Sequence, residues 1–262
     1  MADSSATERR AMILAELGIE QWRLRGQPPA AALGPAAAAR SEAGVAPGRQ
    51  VPEPPPVAAV AAGEPAARPV SDWSTLNHVI RTCTRCALHQ SRTQAVCGVG
   101  AERAEWLIVG EAPGAEEDAR GEPFVGRAGQ LLDQMLLALG LQRDAVFIAN
   151  VLKCRPPKNR NPTADEMAAC RPHLDKQIEL LQPRLILAVG AIAARSLLGV
   201  DPETPVGKLR GTVHKFGPRQ IPLVVTYHPA YLLRRPLEKR RSWDDLLLAQ
   251  AQYGALESPE PP

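Results

Sequence analysis

The chain has 262 residues, of which 45% are hydrophobic, and carries 31 Lys and Arg against 28 Asp and Glu for a net charge of +3. This length allows a core that needs no disulfide bonds, and a near-neutral average charge says little about partners. The sequence holds no run of about 18 apolar residues and no signal-peptide pattern, so a membrane protein is excluded and a cytoplasmic protein is expected.

The first 71 residues differ in composition from the rest of the chain. Residues 1–26 place Ile13, Leu14 and Leu17 on one helical face, which predicts a short amphipathic N-terminal peptide. Residues 27–71 hold 25 Ala or Pro among 45 residues and cannot bury enough apolar surface to fold, so a disordered linker is predicted. The peptide pattern suits either binding to a partner or packing on its own domain.

From residue 72 onward, short apolar runs alternate with helical patterns. The runs predict four buried strands, at Trp106–Val109, Val146–Ala149, Leu185–Val189 and Leu223–Thr226. Helices are predicted at about 127–139, 163–181, 191–198 and 241–253, with Thr163 as an N-cap. We therefore predict an α/β fold over residues 72–253, a three-layer α/β/α sandwich around a central four-stranded parallel sheet, followed by a disordered tail at 254–262.

Polar side chains follow three of the predicted strands. Glu111 comes after the first strand, Asn150 after the second and His228 after the fourth. Ligands of open parallel sheets bind beyond the carboxyl ends of the strands, so these side chains should meet. Asn presents a donor and an acceptor in one plane, His and Glu can stabilise charge or move protons, and Phe124 can stack on a ring. A pocket for a planar, polar-edged ligand is predicted, although each residue alone could have a structural role.

Four of the five cysteines form spaced pairs. Cys83 and Cys86 make a C-x2-C pair in a predicted helix, Cys154 follows the second strand, Cys170 lies in the next helix, and Cys97 is left over. In a reducing compartment, such pairs are typical of metal or cluster ligands. The spacing suits tetrahedral zinc and a 4Fe-4S cluster alike.

A basic segment lies near the carboxyl end of the domain. Residues 205–241 carry nine Lys or Arg and one acidic residue, Glu238. Such a segment could face an anion, or it could be a solvated helix face.

Four segments resemble family 4 uracil-DNA glycosylases, namely Gly110–Asp118, Pro123–Gly129, Asn150–Pro157 and His228–Leu233. The order and spacing of the four paired cysteines resemble that family as well, and the resemblance covers about residues 72–250. It implies an enzyme with the uracil-DNA glycosylase fold, which flips deoxyuridine out of DNA and hydrolyses its N-glycosidic bond to leave an abasic site. A monomer is expected. It also implies a 4Fe-4S cluster on Cys83, Cys86, Cys154 and Cys170, with zinc as the less favoured occupant.

The resemblance assigns roles to residues of the predicted pocket. It implies that the substrate-binding residues are Gly110, Glu117, Phe124 and Asn150. Phe124 would stack on the base, and Asn150 would read its polar edge. Glu117 would fill the space near C5 and thereby exclude the methyl group of thymine. His228 would stabilise the uracil anion and Glu111 would position water or face the sugar cation. Leu232 would enter the duplex, while the phosphates would be held by Arg234, Arg235 and Lys239 together with Arg240 and Arg241.

The N-terminal peptide carries a second resemblance. Residues Arg9 to Arg25 are similar to the N-terminal peptide of the psi subunit of bacterial DNA polymerase III, which docks on the clamp loader. This similarity implies a tether that would hold the enzyme near replicating DNA of the bacterial nucleoid.

Two other functions explain part of the pattern. A non-catalytic nucleic-acid-binding module with a four-cysteine zinc site would account for the cysteines and the basic segment. A hydrolase of free nucleosides would account for the pocket but would not need the basic segment. Neither alternative accounts for both features together.

Overall fold

The computed structural model describes residues 70–257. The predicted N-terminal peptide, all but the last two residues of the predicted linker, and residues 258–262 lie outside the described part of the chain. Within residues 70–257, none of the helices combines the length and the apolar character that crossing a membrane would require.

A six-stranded sheet forms the centre of the domain. Its strands are β1 Val99–Gly100, β2 Trp106–Gly110, β3 Phe147–Asn150, β4 Leu185–Val189, β5 Val213–Phe216 and β6 Ile221–Thr226. The spatial order is β1-β3-β2-β4-β6-β5, and the four inner strands run parallel, as the sequence predicts. The two edge strands pair antiparallel and were not predicted. They are short and only partly buried, so they lack the unbroken apolar run that marks a central strand.

Eight α-helices surround the sheet in the described residues. They are α1 Trp73–Arg81, α2 Ala115–Arg120, α3 Arg127–Ala138, α4 Ala164–Leu181, α5 Ala191–Leu198, α6 Val206–Leu209, α7 Pro229–Arg234 and α8 Lys239–Glu257. The predicted helices correspond to α3, α4, α5 and α8. Thr163 caps α4 as predicted, since its side chain accepts a hydrogen bond from the Glu166 amide while the Glu166 carboxylate accepts one from the Thr163 amide.

The core has two halves, one on each face of the sheet. Alternate strand residues such as Leu107 and Ile186 pack against α4 and α5, whereas Ile108 and Leu187 pack against α3 and α8. This alternation is the period of two expected for strands, and it confirms the three-layer α/β/α arrangement.

Three local predictions are corrected by the structure. The C-x2-C pair lies in a loop, because α1 ends at Arg81 and Thr82 is its C-cap. Residues 254–257 belong to α8 rather than to a disordered tail, and Arg184 Nη2 donates to the Leu256 carbonyl at 2.6 Å. The domain also begins before residue 72, since Val70 packs against the small cluster that contains Leu76.

Candidate active site and four-cysteine site

A cavity of about 460 Å³ lies beyond the carboxyl ends of β2, β3 and β6. The predicted site residues that line it are Glu111, Glu117, Phe124, Asn150, His228 and Arg234. The parallel sheet therefore brings together side chains that are far apart in the sequence, at the edge where ligands of such folds bind.

Gly110 lies directly behind the cavity and allows two of its side chains to approach the strand. Gly110 and Asn150 are neighbours in the pairing of β2 with β3. A Cβ atom at position 110 would lie 2.4 Å from Asn150 Oδ1 and 2.6 Å from Phe124 Cζ, closer than such atoms can approach. Asn150 is 2% exposed, and no group among residues 70–257 hydrogen-bonds its side-chain amide. That amide therefore lies at the cavity with its donor and acceptor unused by residues 70–257.

The backbone of Phe124 adopts a left-handed conformation with φ of 54°. A residue other than glycine adopts this conformation at an energetic cost, and such positions concentrate at functional sites. The chain passes so close to α3 here that a Cβ atom on Gly129 would lie 1.8 Å from the Phe124 carbonyl oxygen. This close approach places the buried Phe124 ring in the wall of the cavity.

His228 is the N-cap of α7, and its ring is oriented by its own helix. Nδ1 accepts a hydrogen bond from the Ala230 amide at 3.1 Å, so Nε2 carries the proton of the neutral ring. Burial, assisted by the positive charge of Arg234, lowers the pKa of His228 to about 4. Near pH 7 the side chain is a neutral imidazole with an N–H available to a ligand.

Glu111 follows β2 and lines the same cavity. Burial raises the pKa of its carboxyl group above the ordinary value of 4.5, and among residues 70–257 no hydrogen bond or ion pair compensates for this burial. A partly desolvated carboxylate without a protein partner is suited to a water molecule or a developing positive charge.

Glu117 has a different environment. Its carboxylate accepts hydrogen bonds from the backbone amides of Gly114 at 3.0 Å, Val125 at 3.1 Å and Gly126 at 3.3 Å. It therefore ties together the loop before α2 and the loop before α3, which form part of the cavity wall.

The structure corrects the assignment of Leu232 as the residue that enters the duplex. Leu232 is 1% exposed and packs in the core cluster between the sheet, α3 and α8. α7 packs on α3, and α3 covers Leu232. By contrast, Leu233 is 37% exposed and Leu237 is 93% exposed. Inserting Leu232 into DNA would require its removal from the core, whereas Leu237 is already in solvent.

The predicted cationic residues lie on the surface, and one of them lies at the cavity. Arg234, Arg235 and Lys239 are exposed, and Arg234 lines the cavity itself. Arg241 is exposed as well but pairs with Glu238 at 3.0 Å. The charge of Arg234 therefore lies where a negatively charged ligand entering the cavity would meet it.

One wall of the cavity was not predicted. It is formed by the segment before α4 and includes Pro156, Asn159 and Arg160, and Tyr231 lines the cavity as well. The guanidinium of Arg160 donates to both carboxylate oxygens of Glu166 at 2.8 and 2.5 Å. This contact holds the pKa of Glu166 at about 2. In the sequence, the capping pair Thr163 and Glu166 at the start of α4 was the pattern that could have indicated an ordered segment here.

The four paired cysteines line a second, small cavity, and Cys97 does not. Arg92 Nη1 donates to Cys154 Sγ at 3.0 Å, and the Lys153 amide donates to Cys170 Sγ at 3.3 Å. Hydrogen bonds of this kind are typical of thiolates that bind metal centres. His173 Nε2 also lies 3.2 Å from Cys83 Sγ.

The donor set fits a thiolate-bound metal centre. Burial raises the pKa of the Cys170 thiol to about 11, so a bound cation is needed to hold it as a thiolate at neutral pH. As the side chains stand in residues 70–257, no three His, Cys, Asp or Glu converge to hold a single metal ion.

Comparison with known proteins identifies the class of protein to which this fold and site belong. The family model described as the Uracil DNA glycosylase superfamily matches residues 97–249, which is more than half of the chain. Curated relatives narrow this class to one family. The type-4 uracil-DNA glycosylase of Pyrobaculum aerophilum is 44% identical over 181 residues, which are 68% of this chain and 92% of the relative.

Two further relatives lead to the same family. The type-4 uracil-DNA glycosylase of Archaeoglobus fulgidus is 45% identical over 60% of this chain and 81% of its own length. That of Thermotoga maritima is 45% identical over 62% of this chain and 84% of its own length. The chain belongs to the type-4 uracil-DNA glycosylases.

Proposed function

We propose that this glycosylase rotates deoxyuridine out of DNA into the 460 Å³ cavity and hydrolyses its N-glycosidic bond, releasing uracil and leaving an abasic site. The observation that carries the proposal is the meeting of Glu111, Asn150 and His228 in one cavity, where each has a functional group that no other group among residues 70–257 hydrogen-bonds. A binding module would have no use for this arrangement.

Recognition of the base rests on Phe124 and Asn150. The Phe124 ring offers a stacking surface, and the Asn150 amide offers one donor and one acceptor to the edge of uracil. Cytosine exchanges donor and acceptor on that edge and would leave buried polar groups unpaired, which costs about 1–3 kcal/mol for each group. Glu117 would restrict the space near C5, supported by the hydrogen bonds that hold its carboxylate in the cavity wall.

Cleavage separates charge, and the site carries a group for each charge. As the bond between C1′ and N1 breaks, its electron pair moves to uracil and positive charge develops on the sugar. The neutral His228 would donate its Nε2 proton in a hydrogen bond to the uracil O2, while the Glu111 carboxylate would orient the attacking water or face the cation. Groups positioned before the reaction stabilise such charges without reorganising.

DNA would be held at the mouth of the cavity. Arg234, Arg235 and Lys239 would contact phosphates, which provide affinity that does not depend on sequence. The exposed Leu237 would fill the gap left by the flipped nucleotide, in place of Leu232.

The four-cysteine site would hold a 4Fe-4S cluster on Cys83, Cys86, Cys154 and Cys170, which would crosslink the loop after α1 to α4. The shared cavity, the N–H groups directed at sulfur and the family resemblance support this assignment. Brown protein with broad visible absorbance and about four irons per chain is the expected result. Colourless protein with one zinc per chain would reject the iron assignment.

The N-terminal tether is a separate proposal that rests on the residue pattern of positions 9–25 alone. A peptide of residues 1–26 should bind the clamp loader of bacterial DNA polymerase III in solution. No binding at micromolar concentration would reject the tether and would leave the glycosylase assignment intact.

The central experiment incubates the protein with uracil-containing single- and double-stranded oligonucleotides and measures abasic sites. His228→Ala and Asn150→Ala should lose most excision, while His78→Ala, on the exposed face of α1, should retain it. Near-wild-type excision by either site variant would remove that residue from the site. Wild-type protein without any product would indicate a binding module, and activity on free deoxyuridine alone would indicate a nucleoside hydrolase.

A further inference from the structure

Lys153 is a fully buried lysine between the base cavity and the four-cysteine site. Its side chain is 1% exposed, although lysine is almost never buried without a charged partner. Nζ donates to the backbone carbonyl of Asn150 and to Oε1 of Gln177, both at 2.6 Å. Among residues 70–257 no carboxylate pairs with it.

The two acceptors of Lys153 belong to separate parts of the fold. Asn150 ends β3, and its side chain lines the base cavity. Gln177 lies in the middle of α4, is 0% exposed and donates in turn to the Cys97 carbonyl. Lys153 therefore joins the end of β3 to a helix that is itself anchored in the core.

The backbone of the same residue reaches the four-cysteine site. The Lys153 amide donates to Cys170 Sγ, and the next residue in the chain is Cys154. Its carbonyl accepts a hydrogen bond from the Val96 amide at 2.8 Å, which anchors it on another side. Hydrogen bonds of its side chain, its amide and its carbonyl leave Lys153 little freedom to move. Its ammonium group therefore restricts the position of the Asn150 carbonyl.

We propose that Lys153 is a positioning residue for the reaction, which holds Asn150 in register with the flipped uracil by clamping its main-chain carbonyl. The inference rests on the proposed role of Asn150 in reading the base. Lys153 also lines the small cavity of the four paired cysteines, where thiolates of a loaded site would balance its positive charge.

The test compares Lys153→Met, which keeps most of the stem but removes the donors, with Lys153→Arg, which keeps the charge and donor groups. Lys153→Met should lower kcat on single-stranded uracil DNA by about 10-fold or more with a small change in KM, because phosphate contacts carry most of the affinity for DNA. Lys153→Arg should recover part of the loss. Lys176→Met, an i,i+3 partner of Glu179 on the surface of α4, is the matched control and should have no effect.

A double-mutant cycle separates positioning from general support of the fold. If Lys153 acts through Asn150, then Asn150→Ala combined with Lys153→Met should have the same kcat as Asn150→Ala alone. Losses that multiply, or an unchanged kcat in Lys153→Met, would overturn the proposal. If Asn150→Ala itself excises uracil normally, the proposed recognition role fails rather than the clamp.

Iron content, the visible spectrum and the melting temperature are measured on every variant. Retained iron with lowered kcat supports positioning, while a kcat that falls only in proportion to iron content overturns it. Gln177→Met serves if Lys153→Met does not fold, because it removes one of the two acceptors and leaves the lysine in place. It should produce a smaller loss in kcat that also disappears in the Asn150→Ala background, and a loss that persists there overturns the proposal.

Discussion

The rings of Phe124 and His228 stack with their centroids 5.5 Å apart and their planes inclined by 27°. The proposed stacking residue and the proposed stabiliser of the uracil anion therefore form one continuous wall. Since the two rings stack, a displacement of Phe124 would also disturb His228. The positions of Phe124 and His228 are therefore coupled, although the two residues come from separate loops.

Gly110→Ala should displace Phe124 and Asn150 in the wall of the cavity. The new Cβ would overlap both the Asn150 amide and the Phe124 ring, which must move by about 1 Å. Misplacement on this scale costs about 100-fold in rate, and overpacking costs about 1–3 kcal/mol of unfolding free energy. Excision kinetics and urea unfolding measure the two effects.

Gly207→Ala is the control for this substitution, because position 207 is exposed and its Cβ would meet nothing within 4 Å. It should leave excision unchanged. A Gly110→Ala enzyme with wild-type kcat would show that the close approach has no role in catalysis.

His228 should remain neutral throughout the physiological pH range. Its folded pKa of about 4 lies below the ordinary value of 6.5, so the unfolded chain binds more protons between these values. The contribution of this residue to stability is therefore complete above about pH 6.5 and is lost as the pH falls toward 4. NMR titration of the labelled imidazole, assigned with His228→Gln, should show no midpoint between pH 6 and 8. A midpoint near 6.5 would contradict the neutral donor.

Glu111→Gln should separate activity from stability. Removing the carboxylate should lower kcat by about 100-fold or more if it orients water or faces the cation. Burial disfavours the charged form, so the variant should melt at the same or a higher temperature at neutral pH, with the difference growing as pH rises above 4.5. A variant that melts at a lower temperature would show that the charged carboxylate makes a favourable contact.

Two leucines in the segment after His228 should respond differently to truncation. Leu232→Ala should lower the unfolding free energy by about 2–5 kcal/mol, because it leaves a cavity in the core. Leu237→Ala should change stability by less than about 0.5 kcal/mol but lower excision from double-stranded DNA relative to single-stranded DNA. Equal activity of Leu237→Ala on both substrates would remove this residue from the duplex gap.

The inner strands were predictable because each is an unbroken apolar run that is buried on both faces. The edge strands were not, since their half-exposed residues carry no such pattern. The convergence of Glu111, Asn150 and His228 followed from the strand ends alone, because parallel strands present their carboxyl ends at one edge. No local pattern could show that Lys153 is buried, since its side-chain acceptor Gln177 lies 24 residues away in a helix.

The sequence by itself determined the α/β architecture, the polar groups at the strand ends and the four paired thiols, because strand burial and chain spacing are local properties. Only the tertiary structure decided that Leu232 faces the core and that Lys153 is buried. It also decided that the carboxylate of Glu117 is hydrogen-bonded, whereas that of Glu111 has no hydrogen-bond partner among residues 70–257. These properties depend on what packs against each side chain: α3 covers Leu232, three backbone amides engage Glu117, and Asn150 and Gln177 enclose Lys153. Burial and hydrogen bonding between distant segments are set by packing, which a sequence pattern does not contain.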